Sequence, residues 1–115
     1  MYISGRLILI LIIMKKEIFN QYTDSIVRLF GITREELFSK NRTIKLVDAR
    51  QLLYYMSFER NMRVTQIQEL MRENGYETNH STIIGGVRSM EVKVKLDPDY
   101  RVVISKLKNN AEISI

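Results

Sequence analysis

The sequence predicts an all-α domain of about six helices that includes a helix-turn-helix. Three observations carry this. Apolar residues recur at i, i+3 and i+4 spacings along most of the chain. Residues that start and stop helices punctuate that pattern, at Gly31, Thr33, Asn74-Gly75, Asn79 and Asp97-Pro98. The one stretch that alternates, E-V-K-V-K-L at 91–96, has no obvious strand to pair with. A chain of 115 residues makes one domain. Such a chain buries roughly two-thirds of the surface that its unfolded form exposes, enough for a core without staples.

Residues 1–14 stand apart as an apolar N-terminal extension. Residues 7–14 are an unbroken apolar run of eight. That is far short of the ~20 residues that span a bilayer, so no stable membrane insertion is expected. Lys15-Lys16-Glu17 follows where a signal peptide would carry small residues. Because Met14 directly precedes Lys15-Lys16, the expectation is that Met14 is the natural start and that 1–13 is not part of the native protein. The rivals are a short strand or a buried extension of the first helix. The helical domain proper is expected at 15–110, with a tail at 111–115.

Within that domain, residues 16–30 read as a helix with Phe19, Tyr22, Ile26, Leu29 and Phe30 on one stripe. Gly31 suits a left-handed cap. Thr33-Arg34-Glu35-Glu36 is a capping box that opens a short helix through Phe38. Residues 39–45 lack an apolar period and carry Lys40, Arg42 and Lys45, so they read as a basic loop. A long helix over 47–61 turns Leu52, Leu53 and Met56 inward. After a tight connection at 61–63, residues 65–71 form a helix whose start is read as a Thr65–Gln68 capping box. Ile67, Leu70 and Met71 form its apolar stripe. Asn74-Gly75 stops it, and Asn79 caps a further helix that runs to about Met90 or beyond, with Ile83, Ile84, Val87 and Met90 inward. Residues 91–96 are expected to be the tail of that helix leading into a loop. Asp97-Pro98 starts the last helix, which carries Val102, Val103, Ile104 and Leu107.

Composition removes several classes of function. With no cysteine there is no disulfide, thiolate metal site, iron–sulfur cluster or cysteine nucleophile. A single histidine excludes a site with two histidine ligands. No G-x-x-x-x-G-K-[ST] phosphate loop occurs. No catalytic residue, metal site or cofactor is nominated, and the chain is not read as an enzyme. Net charge is +5, which favours a polyanionic partner. The excess is local: residues 40–63 hold six basic side chains against two acidic ones. Such a patch recruits phosphate by counterion release. A solvated lysine- and arginine-biased helix face is the plainer reading of the same charges.

Two helices joined by a turn, following a longer helix, make the arrangement in which the second helix presents its first residues to the major groove. Here those residues are Asn79, His80, Ser81 and Thr82. Asparagine pairs bidentately with adenine, and serine and threonine both donate and accept. Helix capping alone is the plainer explanation of the same four residues. Gly85-Gly86 in mid-helix costs about 1 kcal/mol per residue relative to alanine, so a close helix–helix approach is expected there. Met56, Met62, Met71 and Met90 read as core filler. Arg60 and Arg63 are either phosphate contacts or solvated.

Several pieces in order resemble the C-terminal DNA-binding domain of the bacterial replication initiator DnaA. V-R-L-F-G-I-T-R-E-E-L-F-S-K at 27–40 is similar to the family's segment before its basic loop. N-R-T-I-K-L-V-D-A-R-Q at 41–51 is similar to that loop and the start of the long helix. T-N-H-S-T-I at 78–83 resembles the signature Arg-Asp-His-Ser/Thr-Thr-Val. The resemblance implies that Arg42 enters the minor groove and that Arg50 and Gln51 hold phosphates. It also places His80, Ser81 and Thr82 in the major groove and Thr65 near the backbone or a base. With Lys40, Lys45, Asn79 and Arg88, these make up the expected double-stranded DNA surface.

The chain departs from the family at three points. Asn79 stands where the family has aspartate. The Gly-Gly-Arg turn is replaced by R-E-N-G-Y-E-T at 72–78. The ATPase domain that precedes the module in the family has no counterpart, which suggests a stand-alone version such as a phage or mobile element encodes. The expected setting is the cytoplasm of a bacterium or phage-infected cell, with a role in replication initiation or its regulation. A host replication protein is a further candidate partner. The rival reading is a helical protein-interaction module that docks on an initiator or replisome component.

Overall fold

The structure, a computed structural model, describes residues 5–110. It contains six helices: α1 (Gly5–Phe30), α2 (Arg34–Leu37), α3 (Ile44–Glu59), α4 (Val64–Glu73), α5 (His80–Leu96) and α6 (Pro98–Asn110). There is no strand among the described residues, so the all-α expectation holds. The alternating stretch 91–96 is helical throughout, as the last six residues of α5.

Helix α3 is the hub. It packs against α1, α2, α4 and α5, while α6 closes over α1 and α5. Phe19 and Ile26 of α1, Leu53 and Met56 of α3, Ile67 and Met71 of α4, and Ile83 and Met90 of α5 are all fully buried. Ile104 and Leu107 bring α6 into the same core. The methionines expected as core filler are buried there, Met62 included.

Three helices end in the same way. A residue with positive φ follows each of α1, α3 and α4: Gly31 at 64°, Asn61 at 64° and Gly75 at 85°. In each case the next N–H reaches back five residues, from Ile32 to Val27 O, Met62 to Ser57 O and Tyr76 to Met71 O, at 3.0–3.1 Å. This is the Schellman cap, which satisfies carbonyls that the helix leaves unpaired. It also reverses the chain within a few residues, and so sets how α4 meets α5.

Several boundaries differ from the sequence reading. Helix α1 begins at Gly5 rather than near Lys16, because nothing between Leu7 and Met14 breaks a helix. It is neither a strand nor a buried extension: Leu7 to Ile13 are 44–57% exposed. The first part of the apolar extension, 1–4, and the tail, 111–115, lie outside the described residues. Helix α3 starts at Ile44, so Lys45 sits in its first turn rather than in the loop. Helix α4 starts at Val64, and the N–H of its N-cap residue is capped from Gln66 rather than through a Thr65–Gln68 box. The Arg63 N–H donates to Gln66 Oε1 at 2.9 Å. Gln68 is thereby free to donate to Thr78 O at 3.0 Å, tying α4 to the residue before Asn79.

Candidate nucleic-acid interface

The loop between α2 and α3 is built from short side-chain-to-backbone bonds. Ser39 Oγ donates to Glu36 O at 2.7 Å and accepts from the Asn41 N–H at 3.3 Å. Asn41 Oδ1 accepts from the Thr43 N–H at 3.1 Å. Such turns hold a loop in shape while its long side chains stay outside. Lys40, Arg42 and Lys45 are all exposed. None of them makes an ion pair or side-chain hydrogen bond among the described residues. Asp48, the carboxylate nearest in sequence on α3, is already paired with Lys93 of α5 at 2.8 Å.

Arg50 corrects the sequence expectation. Its side chain does not reach out to a phosphate; the residue is 3% exposed. Nε donates to Leu37 O at 2.7 Å, and Nη2 donates to Ser39 O at 2.6 Å and Glu36 O at 3.4 Å. The Tyr76 ring covers the guanidinium, with Cζ 4.7 Å from the ring centroid. A buried arginine needs several acceptors because it cannot shed its charge. Carbonyls at the end of α2 and in the loop supply them, so one side chain fastens the basic loop to α3 and to the turn before α5. Gln51 is half-buried, with its Cγ against Gly86. Its Oε1 is buried and has no hydrogen-bond partner among the described residues. It too faces the helix interface rather than solvent.

At the start of α5, Asn79 Oδ1 accepts from the Thr82 N–H at 2.8 Å, the N-cap that the sequence suggested. That bond engages the oxygen that a bidentate adenine contact would use. The Asn79 amide nitrogen stays unbonded among the described residues. His80, Ser81 and Thr82 are exposed. Arg88, two turns further on, is exposed beside Phe58, Val64 and Ile84.

The fold brings the loop and the turn together. Lys40, Arg42 and Phe38 share a cleft of about 330 Å³ with Gly75, Tyr76 and Glu77, three residues before His80. Among the described residues, Glu77 is the one acidic group on this cleft. Thr65 does not join them. It lines a separate groove with Ile12, Lys15 and Lys16 of α1.

Two turns into α5, at Gly86, the helix comes close to α3. A Cβ on Gly86 would stand 2.9 Å from Tyr54 Cδ2, whereas one on Gly85 would meet nothing within 4 Å. The close approach expected of the glycine pair therefore belongs to Gly86 alone. Burial pushes the Tyr54 phenol up to about 12, opposed in smaller part by Thr78. The Tyr54 and Thr78 hydroxyls are both buried, but they do not meet in hydrogen-bond geometry. Sequence reading missed Tyr76 as the cover on Arg50 and Ile44 as an exposed residue; no periodic signal marks either one.

Among the described residues, fold and surface together define a small all-helical module with exposed cations in the loop before α3 and an exposed polar start to α5. The chain is 31% identical over 84 residues to the chromosomal replication initiator protein DnaA of Nautilia profundicola, a match that covers 73% of this chain. Over that stretch the chain carries a DnaA-like domain. It spans 19% of the length of that relative. No family model matches the chain, and no solved structure matches it. Among the described residues no helix is long and apolar enough to cross a membrane.

Proposed function

We propose that this chain is a non-enzymatic, sequence-specific double-stranded DNA-binding module of the C-terminal DnaA type. It acts in replication initiation or its regulation, inside a bacterial or phage-infected cell. Helices α4 and α5 serve as the helix-turn-helix. His80, Ser81 and Thr82 read base edges in the major groove, and Arg42 reaches the adjacent minor groove. Lys40, Lys45 and Arg88 take phosphates, which set register. Arg50 takes a different part: it holds the loop rather than the DNA. The observation that carries the reading is the shared cleft, which sets Lys40 and Arg42, unpaired among the described residues, beside the turn that leads into His80.

A fluorescence-anisotropy titration with random duplex tests it. Four exposed cations at phosphates or in a groove imply a slope of about −3.6 in log K against log salt. Affinity then falls by about a hundredfold between ~50 and ~200 mM salt. In selection from a random duplex pool, His80→Ala changes the recovered sequence, with each good base contact worth about 1–3 kcal/mol. Binding that ignores salt, or no binding, refutes the reading.

A second reading, docking on an initiator or replisome protein, is favoured by one feature. A groove of about 700 Å³ between α1 and α6 is lined by Leu29, Val102, Val103 and Leu107 together with Ser25, Arg28 and Lys106. Retention on a replication protein, without duplex binding, would select it.

A further inference from the structure

Ile44 is 82% exposed, the highest value among the exposed large apolar side chains of the described residues. It opens α3, whose buried face is formed by Leu46, Ala49, Leu52, Leu53 and Met56, so it takes no part in the core. Single exposed apolar residues are common and by themselves need no explanation. Two features set this one apart. The first is its electrostatic setting. Arg42 and Lys45 flank it, both exposed and unpaired among the described residues, and no carboxylate occurs between Glu36 and Asp48. Leu96 is nearly as exposed at 79%, but it is followed directly by Asp97. The second feature is how firmly the segment before it is held. The Arg50 guanidinium fastens the backbone at Glu36, Leu37 and Ser39, and the Asn41 side chain fixes Thr43, the residue before Ile44. A mobile loop would fold an isoleucine back onto apolar surface. Here the loop geometry keeps it outside.

An apolar side chain held rigidly among cations matches the chemistry of a DNA minor groove. Phosphates line its edges, its sugar walls are apolar, and its base steps open to an inserted wedge. We propose that Ile44 is an apolar wedge that enters the minor groove of duplex DNA beside Arg42. This rests on the DNA-binding reading above and assigns to that surface a contact that is apolar rather than ionic. Lys40 and Lys45 bring the phosphates to the loop, Arg42 enters the groove, and Ile44 fills the space between the sugar walls and loosens the stacking of one base step. The wedge contributes affinity that does not depend on salt, because it releases no counterion.

The test uses the full chain and a duplex recovered from a random pool, with 2-aminopurine replacing adenine one position at a time. With the parent protein, binding raises 2-aminopurine fluorescence at one step, the signature of lost stacking. Ile44→Ser abolishes that rise and weakens binding about fivefold, as expected for losing part of one isoleucine's burial. The salt slope stays unchanged. Ile44→Leu restores both signals. Since Ile44 lies outside the core, thermal unfolding of Ile44→Ser should match the parent and rule out a folding defect. Equal affinity and equal fluorescence for parent and Ile44→Ser overturn the wedge while leaving the DNA-binding reading intact. A flattened salt slope without fluorescence change overturns it too. So does loss of binding to a replication protein with DNA binding unaffected, which assigns Ile44 to a protein contact. If the parent itself binds no duplex, the underlying reading has failed instead.

Discussion

Replacing Arg50 by lysine separates two roles that the same residue has been given. The resemblance to the initiator family implies a phosphate contact. The structure shows the guanidinium donating to the carbonyls of Leu37 and Ser39 at 2.7 and 2.6 Å, with Tyr76 stacked over it. Lysine keeps the charge and would still serve a phosphate, but its single ammonium does not reproduce a planar fork to separate carbonyls. A hydrogen bond from a charged donor is worth about 1.5–3 kcal/mol, and a desolvated cation–π contact about 1–2 kcal/mol. Losing one such bond and the stacking therefore costs about 3 kcal/mol. With a urea m value of about 1.5 kcal/mol per molar, the unfolding midpoint of Arg50→Lys falls by about 2 M. The assay is urea denaturation followed by circular dichroism, paired with duplex binding at several salt concentrations. The reasoning is refuted if Arg50→Lys unfolds at the parent's midpoint. It is refuted more specifically if the midpoint holds while Arg50→Ala flattens the salt slope by about one unit, as loss of a phosphate contact would.

Two further predictions concern the α3–α5 contact. Gly85→Ala gains helix propensity in open space and stabilises by about 1 kcal/mol. Gly86→Ala places a methyl against the buried Tyr54 ring and destabilises by about 1 kcal/mol net, since overpacking outweighs the same propensity gain; thermal melts that rise equally for both would contradict this. Tyr54→Phe removes a hydroxyl without a hydrogen-bond partner among the described residues, so stability at pH 7 is unchanged or rises by up to about 1 kcal/mol. The parent's Tyr54 contribution is complete below pH 10 and is lost as pH climbs from there towards about 12, because the folded phenol resists ionisation. The slope is about 1.4 kcal/mol per pH unit. Urea midpoints at pH 9 and pH 11 should therefore diverge less for Tyr54→Phe than for the parent.

What the sequence determined by itself is local. Capping residues and glycines act within a few positions of where they stand. Thr33, Asn79, Gly31 and Gly75 therefore marked helix ends that the structure keeps, and the 3.6-residue period marked Ile67, Met71, Ile83 and Met90 as core. The charge of the loop before α3 was equally legible, because long cationic side chains on a short polar segment have nowhere to be buried. What only the tertiary structure decided is which polar groups are already engaged. Arg50 and Arg42 look alike in sequence. One lies across three carbonyls under Tyr76, and the other stands in solvent. No local pattern separates them, because the acceptors sit 11 to 14 residues away in the chain and the covering ring 26. The glycine pair behaves in the same way: Gly86 meets Tyr54 of another helix while Gly85 meets nothing. Helix ends are set by neighbours in the chain, but whether a side chain faces a partner or water depends on which distant segment the fold brings over it.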